Sequence, residues 1–184
     1  ALFRVDYSSQ IGIGHLMRCL TIANKLKQTG YTCYFASREF ENIDLIEGNG
    51  HIPVVLKPAG ETINGSDYST WLGASWEEDA LETIDAISDL SIVWLIIDHY
   101  GIDYRWQKKL RSHCDLIMVI DDLANRKYDC DMLIDSNLGR RPDDYQDLVS
   151  DFCKLCIGTD FIALRPEFSQ LREQAKPRRK KLNK

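Results

Sequence analysis

Three apolar runs constrain this chain more than anything else in it. Ile92-Val93-Trp94-Leu95-Ile96-Ile97, Leu116-Ile117-Met118-Val119-Ile120 and Met132-Leu133-Ile134 show no polar alternation, and each closes on an aspartate, Asp98, Asp121 or Asp135. A strand with one face in water alternates; an unbroken run belongs to a strand covered on both faces, as in the middle of a parallel sheet. Parallel neighbours need crossover connections, usually helices. Ser75 and Glu78 spell a capping box ahead of one such helix, with apolar positions Trp76, Ala80, Leu81, Ile84 and Ile87. A second is expected from about Asp103 to Cys114. Strands alternating with helices give an α/β class, a doubly wound, mostly parallel, Rossmann-like sheet.

The N-terminal stretch fits the same plan. Leu2-Phe3-Arg4-Val5 ends in Asp6, and Leu16, Cys19, Leu20, Ala23 and Leu26 recur at helical spacing before Gly30. Between them lies Ser8-Ser9-Gln10-Ile11-Gly12-Ile13-Gly14-His15-Leu16-Met17-Arg18. This reads as strand, glycine-containing loop and helix, with His15 in the first turn and Arg18 one turn later on the same face. A helix N-terminus offers free N–H groups and a positive dipole end, a seat for an anion that also disfavours imidazolium. Gly12 and Gly14 make a G-x-G, but no third glycine completes a dinucleotide fingerprint and no G-K-[ST] follows. On the glycines alone, a plain turn with a histidine capping a helix explains the stretch equally well.

Further strands are expected at Tyr31 to Ala36 and Ile52 to Leu56, the latter at a sheet edge or strand start because of Pro53. A short helix is expected from Glu41 to Glu47, stopped by Gly48. Residues 57 to 73 form a long loop, with Trp71 packing it down. No internal repeat is visible.

Charge and cysteines narrow the function classes. The net charge is −5, yet six of the 23 basic side chains lie in residues 176 to 184, leaving 17 against 28 acidic ones, a balance of −11. An acidic body argues against nucleic acid as a partner. The basic tail reads as a solvated linker. Nothing approaches the length of a membrane span, so no membrane partner is expected and the cytoplasm is the expected location. Cys153 and Cys156 form one C-x-x-C without a second pair, so the six cysteines read as reduced thiols, mostly core fillers, and not as a zinc site.

Asp6, Asp98, Asp121 and Asp135 all end apolar runs. In a parallel sheet those ends line one rim, where open α/β sheets bind ligands. Each aspartate alone is explained by loop capping; together, beside His15, His99 and Tyr100, they suggest a site. Two chemistries fit. One is a divalent metal on Asp98, Asp121 and Asp122, though D-H-Y at 98 to 100 lacks the second histidine of D-H-H metallophosphoesterases. The other is His15 activating a water or hydroxyl.

The runs F-R-V-D-Y-S-S-Q-I-G-I-G-H-L-M-R-C-L, I-I-D-H-Y-G-I-D, V-I-D-D-L-A-N-R, C-D-M-L-I-D-S-N-L and I-A-L-R-P-E-F, in this order from Phe3 to about Arg172, resemble the UDP-sugar hydrolases of pseudaminic acid biosynthesis. That family is built like the GT-B glycosyltransferases, from two Rossmann-like domains with a cleft between them. The resemblance implies that His15 is the catalytic base, activating water to attack the anomeric carbon of a UDP-diacetamido-trideoxyhexose. UDP then leaves by C–O cleavage, with no metal and no cofactor. Substrate contacts are expected at Gly12, Gly14, Arg18, Asp98, His99, Tyr100, Asn137 and Arg165, with Asp98 and His99 either orienting substrate or bracing the loop. The family continues with a second domain that carries most UDP contacts. The expectation is therefore an N-terminal domain at 1–172, a basic interdomain linker at 173–184, and a missing C-terminal UDP-binding domain. Half of a glycosyltransferase, or a non-catalytic nucleotide-sugar-binding module, are the alternatives.

Overall fold

A computed structural model describes residues 1–7, 12–38, 43–58 and 68–174. Seven strands make one sheet: β1 (Leu2–Val5), β2 (Tyr34–Ser37), β3 (Ile52–Val55), β4 (Trp94–Asp98), β5 (Leu116–Ile120), β6 (Met132–Asp135) and β7 (Lys154–Ile157). Every neighbouring pair is parallel, in the order β3-β2-β1-β4-β5-β6-β7. The chain winds one way from β1 to β3 and the other way from β4 to β7. The direction reverses between β1 and β4, where Val5 registers with Asp98. The fold is an α/β, Rossmann-like sheet, and this crevice is its topological switch point.

Residue parity divides the core. Phe3, Val5, Phe35 and Ile96 face helix α1 (Gly14–Gln28), which contributes Leu16, Cys19, Leu20 and Ala23, and helix α2 (Ile43–Gly48), which contributes Ile46. Leu2, Leu95, Ile97, Ile117, Val119 and Leu133 form the other layer with helices α3 (Trp76–Ala86) and α4 (Tyr104–Leu110), including the fully buried Trp106. Both faces are covered, as the unbroken apolar runs require. Pro53 sits on β3, at the sheet edge, where no further strand needs its missing N–H.

Local signals place most of these elements. The Ser75–Glu78 capping box is formed in both directions, and Asp103 caps α4 by accepting from Arg105 N. The expected helix to Cys114 ends as α-helix at Leu110 and finishes in a 3-10 turn over Arg111–His113. The second strand begins at Tyr34, three residues later than expected. Residues 8–11, the first two positions of the expected Glu41–Glu47 helix, residues 59–67 of the expected long loop and residues 175–184 of the expected linker lie outside the described residues.

Three expectations need correction. Leu81 is 53% exposed and lies off the buried face of α3, which carries Asp79 and Thr83 beside Ala80. The strict alternation of strand and helix stops after β5: β5–β6 and β6–β7 are joined by chain whose regular structure is a 3-10 turn at Pro142–Tyr145. Finally, β7 and a fifth helix, α5 (Pro166–Gln174), extend the domain where no element was expected.

Candidate active site

The switch point collects the residues singled out at the N-terminus of α1. Gly12 adopts φ +83°, a left-handed conformation that favours glycine, and so turns the chain into the helix. Gly14 opens α1, and a Cβ there would meet no protein atom within 4 Å. His15 follows, 9% exposed, with Nδ1 2.5 Å from Asp98 Oδ1 at the end of β4. Arg18 Nη2 also lies 3.1 Å from Nδ1, but it donates to the same Asp98 oxygen at 2.6 Å; a carboxylate oxygen accepts only, so the shorter contact places the proton on Nδ1, and in the neutral ring Nε2 then keeps its lone pair.

Arg18 closes the other side of Asp98. Its Nε donates to Oδ2 and its Nη2 donates to Oδ1 at 2.6 Å. This fork, one helical turn from His15, leaves Asp98 1% exposed with both oxygens occupied. Burial alone would raise the Asp98 pKa, but hydrogen bonds from Arg18 and His15 outweigh it and hold the carboxyl below its ordinary value. The group is an anion by construction, and it fixes both the ring plane and the tautomer of His15.

An aromatic wall stands next to the histidine. The Tyr100 ring meets His15 edge-on at 4.8 Å between centroids. Tyr68 and Trp71, from the 3-10 turn at Tyr68–Leu72, pack on Tyr100 at 5.0 and 5.7 Å. Trp71 thus ties the end of the long loop to the site, as a packing role requires. Burial, then the hydrogen bond to Asp122, push the Tyr100 hydroxyl pKa well up, so it stays a donor. Asp122 also lies 3.5 Å from Arg18 Nη1.

The other candidates sit at varying distances from this centre. His99 is 3% exposed and turned inward: Nε2 lies 3.0 Å from Asp6 and Nδ1 accepts from Gly101 N. Asn137 is exposed, bonding the Asp122 carbonyl through Nδ2 at 3.4 Å. Arg165 is exposed near the start of α5, its guanidinium stacked on Phe168.

The four rim aspartates do not converge on one ligand. Asp6 joins Arg4, Ser37 and His99; Asp121 meets Arg126 and caps the amides of Leu123 and Ala124; Asp135 takes Arg140 and the amide of Asn137. The Tyr145 hydroxyl lies 2.9 Å from Asp121 and 2.8 Å from Asp135. Of the four, Asp98 alone is in contact with His15 among the described residues. Among the described residues no group of three or more His, Cys, Asp or Glu side chains is arranged to hold a metal ion.

No family model matches the chain. A curated protein of Campylobacter jejuni subsp. jejuni serotype O:2 (strain ATCC 700819 / NCTC 11168), named UDP-2,4-diacetamido-2,4,6-trideoxy-beta-L-altropyranose hydrolase, is 29% identical to it over 180 residues. The chain is similar to that hydrolase along nearly its whole length. The match covers 98% of this chain and 56% of the Campylobacter hydrolase, so the chain spans about half the length of its relative. This agrees with the resemblance carried by the five sequence runs, and the sheet is the kind of domain that resemblance implies. No helix of the described residues is long and apolar enough to cross a membrane.

Sequence reasoning passes over several members of the site. Asp122 enters it only as a metal ligand, although it meets Arg18 and Tyr100. Tyr68 and Trp71 are signalled by being aromatic in a stretch otherwise rich in glycine and small polar residues. Arg140 carries no such signal, although it spans Asp135 and the Asp122 carbonyl.

Proposed function

We propose that this chain is the base-bearing N-terminal domain, residues 1–172 with a basic linker at 173–184, of a cytoplasmic two-domain UDP-sugar hydrolase. The substrate is a UDP-diacetamido-trideoxyhexose, the class named in the Campylobacter relative, and the route is that of pseudaminic acid, as the resemblance of the sequence runs implies. The observation that carries the reading is the His15–Asp98 contact at 2.5 Å, which with its proton on Nδ1 keeps the lone pair on Nε2 as the base. Nε2 deprotonates a water whose oxygen attacks the anomeric carbon. The bond from that carbon to the phosphate oxygen breaks, and UDP leaves with the electron pair. No metal takes part.

The other residues position the partners of this step. Arg18 and the backbone at Gly12 and Gly14 supply positive potential at the α1 N-terminus for the departing diphosphate. Tyr100 supports the sugar beside His15, and Asn137 and Arg165 reach the substrate from the rim. Asp98 orients His15, and His99 braces the loop that carries Tyr100. A second domain supplies most contacts to UDP, so the chain alone binds UDP weakly and turns over slowly or not at all.

The test is UDP release from the UDP-sugar with a chelator present, comparing this chain with a chain extended through a second domain. Activity in the extended form alone supports the reading. Robust hydrolysis by the 184-residue chain overturns the division of labour. Inactivity of both forms, with transfer to an added acceptor, assigns the site to a glycosyltransferase; inactivity with ligand-induced stabilisation alone assigns it to a binding module.

A further inference from the structure

Away from the catalytic rim, at the opposite ends of β6 and β7, two thiols face each other. Cys130 Sγ and Cys153 Sγ are 3.6 Å apart, and both cysteines are free. Each precedes its strand closely: Lys154 N donates to Asp131 O at 2.8 Å, and Met132 registers with Lys154. The ladder brings the two strand starts together with Asp131 opposite Cys153, and the thiols meet just outside the paired residues. The partner of Cys153 is not Cys156, its neighbour in the C-x-x-C, but a residue 23 positions earlier in the chain.

The two thiols are not equivalent. Cys130 is fully buried, whereas Cys153 is half-buried and reachable from solvent. The hydrogen bond from Cys130 lowers the Cys153 pKa, and the same contact, with burial, raises that of Cys130. The nearby charges do not add to this: Asp131 raises the Cys153 pKa more than its partner Arg111 lowers it, so the Cys130 contact carries the shift. A partly exposed thiol of lowered pKa beside a buried thiol is the arrangement of an attacking and a resolving cysteine.

We propose that Cys130 and Cys153 form a reversible redox pair that is oxidised to an intramolecular disulfide by low-molecular-weight disulfides such as oxidised glutathione. The Cys153 thiolate attacks one sulfur of the oxidant, breaking its S–S bond and releasing one thiolate. Cys130 then gives up its proton and attacks Cys153 Sγ, releasing the second. Two protein thiols are oxidised by two electrons, and the oxidant is reduced to two thiols. Closing the pair takes the sulfurs from 3.6 Å to bonding distance, about 2.0 Å, at two cysteines that both lie outside the paired strand residues. The bridge ties the starts of β6 and β7 and closes a loop that contains the Tyr145 anchor of Asp121 and Asp135.

The folded chain is incubated with oxidised glutathione, quenched with a thiol-alkylating reagent and analysed by intact mass and peptide mapping. The expected product has lost two hydrogen atoms, retains four of its six thiols and carries a Cys130–Cys153 link. Its unfolding midpoint should rise by about 5 °C, reversed by dithiothreitol. Cys130→Ala should stop at glutathione bound to Cys153, whereas Cys156→Ala should form the bridge normally. A lasting mixed disulfide on Cys153 in the unmodified chain, a link to any other cysteine, or six surviving thiols would each overturn the proposal. The readout does not involve UDP-sugar hydrolysis, so its failure is separate from failure of the proposed function.

Discussion

At the scale of single residues, the proposed chemistry depends on one proton. Asp98 holds Nδ1–H of His15 and so leaves the lone pair on Nε2. In the two-domain enzyme, His15→Gln should lower kcat by about 10²- to 10⁴-fold, the usual contribution of a general base, with KM nearly unchanged and the midpoint of unfolding retained. Asp98→Asn should also lower kcat, since an amide nitrogen facing Nδ1 favours the wrong tautomer. It differs from His15→Gln in a second readout. Arg18 loses its carboxylate, so the Asp98→Asn protein should unfold at lower denaturant than the His15→Gln protein. Equal kcat for Asp98→Asn and the parent would dissociate Asp98 from the base. The His15–Arg18 relation was legible because i and i+3 share a helix face. The partner of both was legible only as a strand-ending aspartate, because 83 residues separate it from His15 and no local pattern encodes that distance.

At the scale of elements, α3 shows where periodicity succeeds and where it fails. Its capping box was readable from two residues, and it formed. Its buried face was not, because hydrophobicity identifies apolar positions and Asp79 is a charge. Asp79 is fully buried between Arg4 of β1, Arg38 and the Trp106 indole N–H, at 2.7 to 3.1 Å. The clue was Arg4 itself, a cation inside an apolar strand, which demands an anion from the covering helix. Asp79→Ala should cost about 3–5 kcal/mol in a urea titration, because two guanidiniums lose a buried partner. Leu81→Gln, on the exposed face of the same helix, should stay within about 0.5 kcal/mol. β7 and α5 escaped the sequence reading for a related reason. β7 is a four-residue edge strand, and α5 is polar with Phe168 and Leu171 exposed, so neither shows the one-sided apolar pattern that reveals an element.

At the scale of the whole molecule, three buried acids are held ionised, Asp6 and Asp98 at the carboxyl ends of β1 and β4 and Asp79 on the helix that covers the sheet. Burial would raise the pKa of Asp6, Asp79 and Asp98, but Arg4 with His99, Arg4 with Arg38, and Arg18 with His15 respectively outweigh it and depress all three. Depressed carboxylates contribute their stability above the unfolded pKa, about 3.9, and lose it as pH falls through the folded values below that. The urea midpoint should therefore be insensitive to these three groups from neutrality down to about pH 4, then decline with further acid. Because the pairs are buried, the decline should change little between low and moderate salt, unlike that of surface pairs. Asp79→Asn provides the internal control: with one depressed carboxylate removed, its stability starts lower at neutral pH, and the gap to the parent narrows below about pH 4. A gap that stays constant through further acidification would mean that Asp79 is not held ionised by Arg4 and Arg38.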